Sequence, residues 1–152
     1  EFDLKLVGAR AQNWLRLEKS YRAFGTELGR DATPLEAGLE RFVDLKKEFF
    51  GKQALENRTI STKCVTLLID GPEEADPWGR EAIYLDKNVV GRLTSGGYSV
   101  NFKKSIGMGY LKPELAKTGQ KVKIKMFDKL WDAEIVLDSP YDPSNSRIRL
   151  ED

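Results

Sequence analysis

The stretch Lys121-Val122-Lys123-Ile124-Lys125-Met126 alternates charge and hydrocarbon without a break. A repeat of two is that of a β-strand, whose successive side chains leave opposite faces of the sheet. One face of this strand is wet and the other dry, as in an antiparallel sheet that covers a core on one side. The lysines fit a solvated face. A nucleic-acid surface would want aromatic residues between them and few acids, whereas Asp128, Asp132 and Glu134 follow closely. Lysines along a strand also discourage pairing with another chain.

Further short runs of β-formers lie on both sides: Trp131 to Leu137 downstream, and Lys63 to Ile69, Ala82 to Leu85, Val89 to Thr94, Tyr98 to Phe102 and Ile106 to Leu111 upstream. Turn signals divide them at Asp70-Gly71-Pro72, Asp76 to Gly79, Asp86-Lys87-Asn88 and Ser95-Gly96-Gly97. Short strands with frequent turns predict an antiparallel sheet closing into a small barrel or sandwich. Thr94-Ser95-Gly96-Gly97-Tyr98 reads as a hairpin turn and not a phosphate cradle, because no strand–Gly-x-Gly-x-x-Gly–helix arrangement surrounds it.

Before residue 60 the texture is helical and irregular. Leu6 to Phe24 is expected to form one helix with Trp14, Leu17, Tyr21 and Phe24 on one face, extended backwards by Val7 and Ala11. Arg16, Glu18, Lys19 and Arg22 fall elsewhere on the wheel, Glu18 and Arg22 make an i,i+4 pair, and Gly25 is the expected stop. Thr33 and Glu36 match the Ser/Thr-x-x-Glu capping box. Leu39, Phe42, Val43, Phe49 and Phe50 are expected to feed the core, and a short helix to run from Gly51 or Lys52 to Asn57. The chain should therefore divide near residue 60. A helix with a wide apolar stripe and no neighbours of its own, in a chain opening on Glu1-Phe2, predicts a piece of something longer.

Composition excludes several chemistries. The 152 residues include no histidine, so this chain holds no Ser-His-Asp or Cys-His machinery and no His-ligated metal. One cysteine, Cys64, supplies neither an internal disulfide nor a thiolate metal site, and its place in a strand reads as a buried small side chain. A net charge of +1 gives no electrostatic case for nucleic acid or anionic membranes, and no apolar run is long enough to span a bilayer. Asn57-Arg58-Thr59 fits the glycosylation sequon with no secretory signal beside it, and is read as chance. Arg10, Gln12, Arg16 and Glu18 share the first helix, where a guanidinium could hold a carboxylate bidentately, as a ligand with a glutamate tail would need; the same holds for Arg147 and Arg149 near the C-terminus.

Several stretches taken in order resemble one family. They are Leu15-Arg16-Leu17-Glu18-Lys19-Ser20-Tyr21-Arg22-Ala23-Phe24-Gly25, Thr33-Pro34-Leu35-Glu36-Ala37-Gly38-Leu39 and Phe50-Gly51-Lys52-Gln53-Ala54-Leu55. Asp76-Pro77-Trp78-Gly79, Val90-Gly91, Thr94 to Ser99, Lys104-Ser105-Ile106-Gly107-Met108-Gly109-Tyr110 and Tyr141-Asp142-Pro143 follow. Together they resemble the C-terminal part of the glycine-cleavage T-protein (aminomethyltransferase) family. The Arg-Leu-Glu-Lys and Asp-Pro-Trp-Gly wording is most similar to its sarcosine and dimethylglycine dehydrogenase branch.

The resemblance implies an α+β fold: the tail of an α+β folate-binding subdomain over residues 1–60, then a small antiparallel β-barrel domain over 61–152. It implies tetrahydrofolate as the one-carbon carrier. FAD would belong to the parent protein and not be bound by this chain. The partners would be the remaining folate and flavin domains, with no nucleic acid and no membrane. The family's essential aspartate lies upstream of the matching segment, so no catalytic residue is expected here. Implied cofactor-binding positions are Gln12, where the T-protein branch carries an arginine, Arg16 in the shared helix motif, and Arg147, where that branch carries a tyrosine. Glu18 and Glu36 also fall in shared motifs. The fragment would have no turnover alone, and its compartment would be the cytoplasm, or the mitochondrial matrix in a eukaryote. Gln12 in place of arginine keeps open a non-catalytic scaffold or binding module of the same fold.

Overall fold

Antiparallel strands dominate the computed structural model, which describes residues 4–71 and 76–150. Pro72 of the expected Asp70-Gly71-Pro72 turn lies outside them. Among the described residues, six strands follow two helices, α1 (Ala9–Glu18) and α2 (Lys52–Glu56). They are β1 (Lys63–Ile69), β2 (Ala82–Leu85), β3 (Asn88–Ser99), β4 (Lys104–Leu111), β5 (Lys121–Met126) and β6 (Lys129–Val136), and a last turn of helix, α3, spans Ser146–Arg149. The strands close into a barrel in the order β1-β4-β3-β2-β5-β6, with β6 returning to β1 and Thr66 opposite Val136. Closure removes the free edges at which sheets otherwise pair with other chains.

The barrel interior holds Val65, Leu67 and Ile69 of β1, Ile83 of β2, Leu93 of β3, Leu111 of β4, Val122, Ile124 and Met126 of β5, and Ala133 and Ile135 of β6. The lysines of β5 stand outside in water, as the alternation requires. Burying each large apolar side chain contributes about 1.5–3 kcal/mol, so this interior is the main source of the barrel's stability.

The opposite wall differs. In β4 every residue from Ser105 to Gly109 is buried, and in β1 every residue from Cys64 to Leu67. Strand register places Cys64, Thr66 and Leu68 beside Tyr110, Met108 and Ile106, and these last two beside Ser95 and Gly97. These residues form the outer face of β1, β4 and β3. Leu17 of α1 packs into it with Cys64, Ile106 and Met108.

Three expectations need correction. Helix α1 is ten residues long and stops at Glu18; Ser20 turns left-handed (φ 54°), so Gly25 is not the stop. Beyond that point the expected stripe fails: Tyr21 is half exposed and Phe24 is on the surface, while Glu18, expected on the polar side, is buried. Its i,i+4 pair with Arg22 does not form; Arg22 binds Asp138 and Glu18 binds Ser99 and Asn101.

The second correction concerns Ser95-Gly96-Gly97, which is the interior of a twelve-residue strand and not a turn. A Cβ on Gly97 would run into the Trp14 ring, so the glycine is there to let the helix lie close on the strand. The expected Tyr98–Phe102 strand accordingly ends at Ser99, and a turn follows. Third, Phe42 and Phe50 lie on the surface and Phe49 is exposed, outside any core. The Thr33–Glu36 capping box does form, with Thr33 N–H and hydroxyl donating to Glu36 and Glu36 N–H to the Thr33 hydroxyl, but it caps a turn.

Candidate functional site

The outer wall of β1, β4 and β3 carries hydroxyls, and the segment lying on it brings carboxylates. Glu18, at the end of α1, accepts from the Ser99 hydroxyl (2.5 Å) and the Asn101 amide (2.6 Å). Ser20 and Thr66 share a hydrogen bond of 2.7 Å. Glu27 is almost wholly buried and accepts from five donors. One oxygen takes the Thr94 and Ser95 hydroxyls; the other takes Arg16, the Thr26 hydroxyl and the Ala23 N–H. Thr94 reaches it because the β3–β4 register shifts between Leu93 and Ser95, and such bulges re-aim a side chain. Burial opposes the charge on Glu27, but the bonds from Ser95, Thr94, Thr26 and Ala23 outweigh it and hold its carboxyl below the usual carboxylate range.

The same logic holds at Glu36. Burial opposes ionisation, and donors from Thr33 and Ser61 bring its pKa down to about 2, with Arg58 at 3.4 Å. Carboxylates held so firmly in the ionised form by fixed donors brace structure and do not shuttle protons at neutral pH. Burial pushes the Cys64 thiol up to about 12, so it stays protonated and unreactive. Among the described residues no group of three or more acids and cysteines is placed to hold a metal.

The three residues singled out for cofactor contact are held in different ways. Arg16 is turned to structural work: its Nε donates to Asn13 (2.9 Å), and one terminal nitrogen donates to the Tyr21 carbonyl (3.0 Å) and to Glu27 (2.9 Å). Gln12 lies on the exposed side of α1 with half-exposed Leu15. Lys19, seven residues on, shares that side of the helix about 10 Å along its axis. Lys19 in turn holds the C-terminal segment, in which the Arg147 guanidinium stands 5.5 Å over the Tyr141 ring. Gln12 and Arg16 lie one turn apart on α1, Gln12 exposed and Arg16 tied down by its partners, while Arg147 stacks on Tyr141 in the C-terminal segment.

Between Lys19 and the chain at residues 39–42 opens a cleft of about 430 Å³. Tyr21 and Phe42 supply aromatic surface, and Arg41, 4.7 Å over the Phe42 ring, supplies a cation. At the other end of α1, Arg10 binds both oxygens of Asp76 (2.7 and 2.8 Å) and lies over Trp14 and Trp78, tying the Asp76–Gly79 loop to the helix. Trp14 Nε1 is buried there without an acceptor among the described residues, a cost accepted where the ring meets Gly97. Sequence reasoning missed Glu27, an isolated acid between turns. A signal for its partners existed: Thr66 within an apolar run, and Ser95, Gly97 and Ser99 spaced two apart, mark a small, polar strand face.

Residues 63–142, which contain the whole barrel, match the family model of the glycine cleavage T-protein C-terminal barrel domain. The chain belongs to the glycine cleavage T-protein family. Residues 1–47 match the GCVT N-terminal domain. The T-protein relatives include the mitochondrial dimethylglycine dehydrogenase of Mus musculus, 40% identical over 151 residues, which cover 95% of this chain and 17% of that protein. The mitochondrial sarcosine dehydrogenase of the same species is 31% identical, over 94% of this chain and 17% of its own length. The aminomethyltransferase of Aquifex aeolicus is 32% identical over 80% of this chain and 34% of its own length. The chain therefore spans a minor part of each relative. The glycine cleavage system aminomethyltransferase T from Bartonella henselae shares the T-protein fold, with a TM-score of 0.74 at 24% identity over 86% of this chain and 39% of that one. No helix among the described residues is long and apolar enough to cross a membrane.

Proposed function

We propose that this chain is the C-terminal part of a tetrahydrofolate-dependent one-carbon transfer module from a flavin-linked dehydrogenase of N-methylated glycines. Residues 1–60 would be the end of the folate-binding domain and residues 61–152 the barrel that braces it. The observation that carries the reading is the side of α1 turned away from the barrel. Gln12 stands exposed on it, Lys19 two turns on holds the segment bearing Arg147, and the aromatic and cationic cleft opens beside Lys19.

The donor set fits a folate. Tyr21 and Phe42 offer flat apolar surface to a ring, and Arg41 and Arg22 in the same lining offer cations to a carboxylate tail; Gln12 and Arg147 would reach a ligand only beyond that lining. Tetrahydrofolate, when bound, supplies the nitrogen atoms that carry the one-carbon unit. This chain's contribution is binding and orientation, because its buried carboxylates are already saturated by fixed donors. The remaining folate domain and a flavin domain would be its partners, with FAD held by the latter. The mitochondrial relatives support a matrix location in a eukaryotic host.

Two measurements test this. Titration with 5-formyltetrahydrofolate, followed by amide NMR, is expected to shift Gln12, Tyr21, Arg41 and Arg147 and leave the β5 lysines still. Shifts confined to β5, or none at millimolar ligand, overturn the folate reading and favour a scaffold, for which Gln12 in an arginine's place already argues. Formation of methylenetetrahydrofolate by the 152-residue chain alone would contradict the assignment of a wall without reacting groups.

A further inference from the structure

The C-terminal segment is held by polar contacts. From Leu137 to Leu150 no residue is buried, and Ile148 and Leu150 are largely exposed. Four non-glycine residues there adopt left-handed backbone: Ser139 (φ 56°), Asp142 (48°), Asn145 (60°) and Leu150 (55°). For side chains other than glycine that region is unfavourable, and it persists only where surrounding contacts impose it.

At Ser139, Asp142 and Asn145 polar contacts converge on the end of α1. The Ser139 N–H donates to Ser20 Oγ (2.9 Å) and the Tyr141 N–H to the Glu18 carbonyl (3.1 Å). Lys19 Nζ reaches the Tyr141 carbonyl (3.2 Å), the Asp142 carbonyl (2.7 Å) and Asn145 Oδ1 (2.6 Å). An ammonium has three protons, and three acceptors of one short segment match them. That segment also forms a wall of the cleft through Asp138, Ser139, Pro143 and Asn145, facing Tyr21 and Phe42.

We propose that residues 138–150 are a detachable strap over the cleft, and that Lys19 is its latch and the positioning residue for Tyr141 and Arg147. No apolar side chain of the strap is fully buried, and its closed state rests on the hydrogen bonds at Lys19, Ser20 and Glu18, the Lys19–Asp142 ion pair and the Arg22–Asp138 pair. Opening it exposes the cleft without disturbing the barrel interior; closing it seats Asp138, Ser139, Pro143 and Asn145 in the cleft wall. As a gate for a folate it rests on the function proposed above. As a latch it stands on geometry alone.

Hydrogen–deuterium exchange on the full chain separates the two. In Lys19→Met the amides of Ser139, Tyr141 and Ser146 are expected to exchange at least tenfold faster, with β1 and β4 unchanged. Lys19→Arg should recover part of that protection, and Asn145→Ala, which removes one acceptor, should give a smaller acceleration confined to the strap. An unchanged strap in Lys19→Met overturns the latch, as does equal acceleration in strap and barrel. With the wild-type chain, 5-formyltetrahydrofolate should slow exchange in the strap. If it does not, while Lys19→Met still frees the strap, the folate reading fails and the latch survives.

Discussion

The wall of the barrel that includes β5 meets water, and the wall formed by β1, β4 and β3 meets protein. On β5, burial alternates strictly from Lys121 to Met126; on β4, five consecutive residues are buried. The covered wall is not built of larger hydrophobic side chains. It mixes Leu17, Ile106 and Met108 with Ser95, Gly97, Ser99 and Thr66, and receives carboxylates. Two kinds of cohesion therefore share one sheet. The interior is held by apolar burial, which is non-directional. The covered wall is held by charge-assisted hydrogen bonds, which demand geometry and whose gain is partly offset by desolvation. Such contacts add less on formation than they cost when one partner is removed.

The sharpest way to separate the two walls is Glu27→Ala. It strands the Arg16 guanidinium, three hydroxyls and an N–H, and should cost about 3–5 kcal/mol, read from urea unfolding. A loss below about 1 kcal/mol would mean water replaces the carboxylate and the seam is open. Ile124→Ala, in the interior, should cost ~3 kcal/mol in calorimetry, through lost burial and the cavity left behind. If exchange protection in α1 then survives while the barrel loosens, the two walls are independent units.

Acid sharpens the contrast further. The Glu36 carboxyl titrates near 4.5 when unfolded and about 2 when folded. Above 4.5 both states are ionised and its contribution is complete; as pH falls toward 2 the unfolded chain binds the proton first and the contribution is lost. Because its partner Arg58 is half exposed, the loss should be on the order of 2 kcal/mol or less. Stability that stays flat from pH 5 to pH 2 would deny the carboxylates their role. Smallest of all, Lys123→Ala breaks an exposed pair with Asp132 on the wet wall and should change stability by less than about 0.5 kcal/mol.

Sequence legibility followed the same division. The wet wall was readable because Lys121 to Met126 obeys a single period, and the strand bounds there agree to within a residue or two. The covered wall was not, because its residues answer to a partner remote in the chain. Gly96-Gly97 resembles a turn unless one knows that Trp14 lies on it, and Glu18 resembles a surface acid unless one knows where Ser99 stands. Phe24, Phe42 and Phe50 carry the opposite lesson: apolar spacing suggested a core, and the described chain leaves them on its surface. Of the candidate site, the family motifs pointed to α1 and to the C-terminal segment. The pairing of Lys19 with residues 141–145, more than 120 positions away, had no local sign.

That pairing follows from the barrel's closure. Because β1 lies beside β6, the chain enters and leaves the barrel at one place, and the stretches before and after it emerge as neighbours. Bringing Lys19 to Asn145 across 126 residues of flexible chain would cost roughly 4 kcal/mol in loop entropy. Folding the barrel absorbs that cost beforehand. The strap then meets its lysine intramolecularly, at an effective concentration on the order of millimolar, so a few hydrogen bonds suffice to seat it and few need break to let it go.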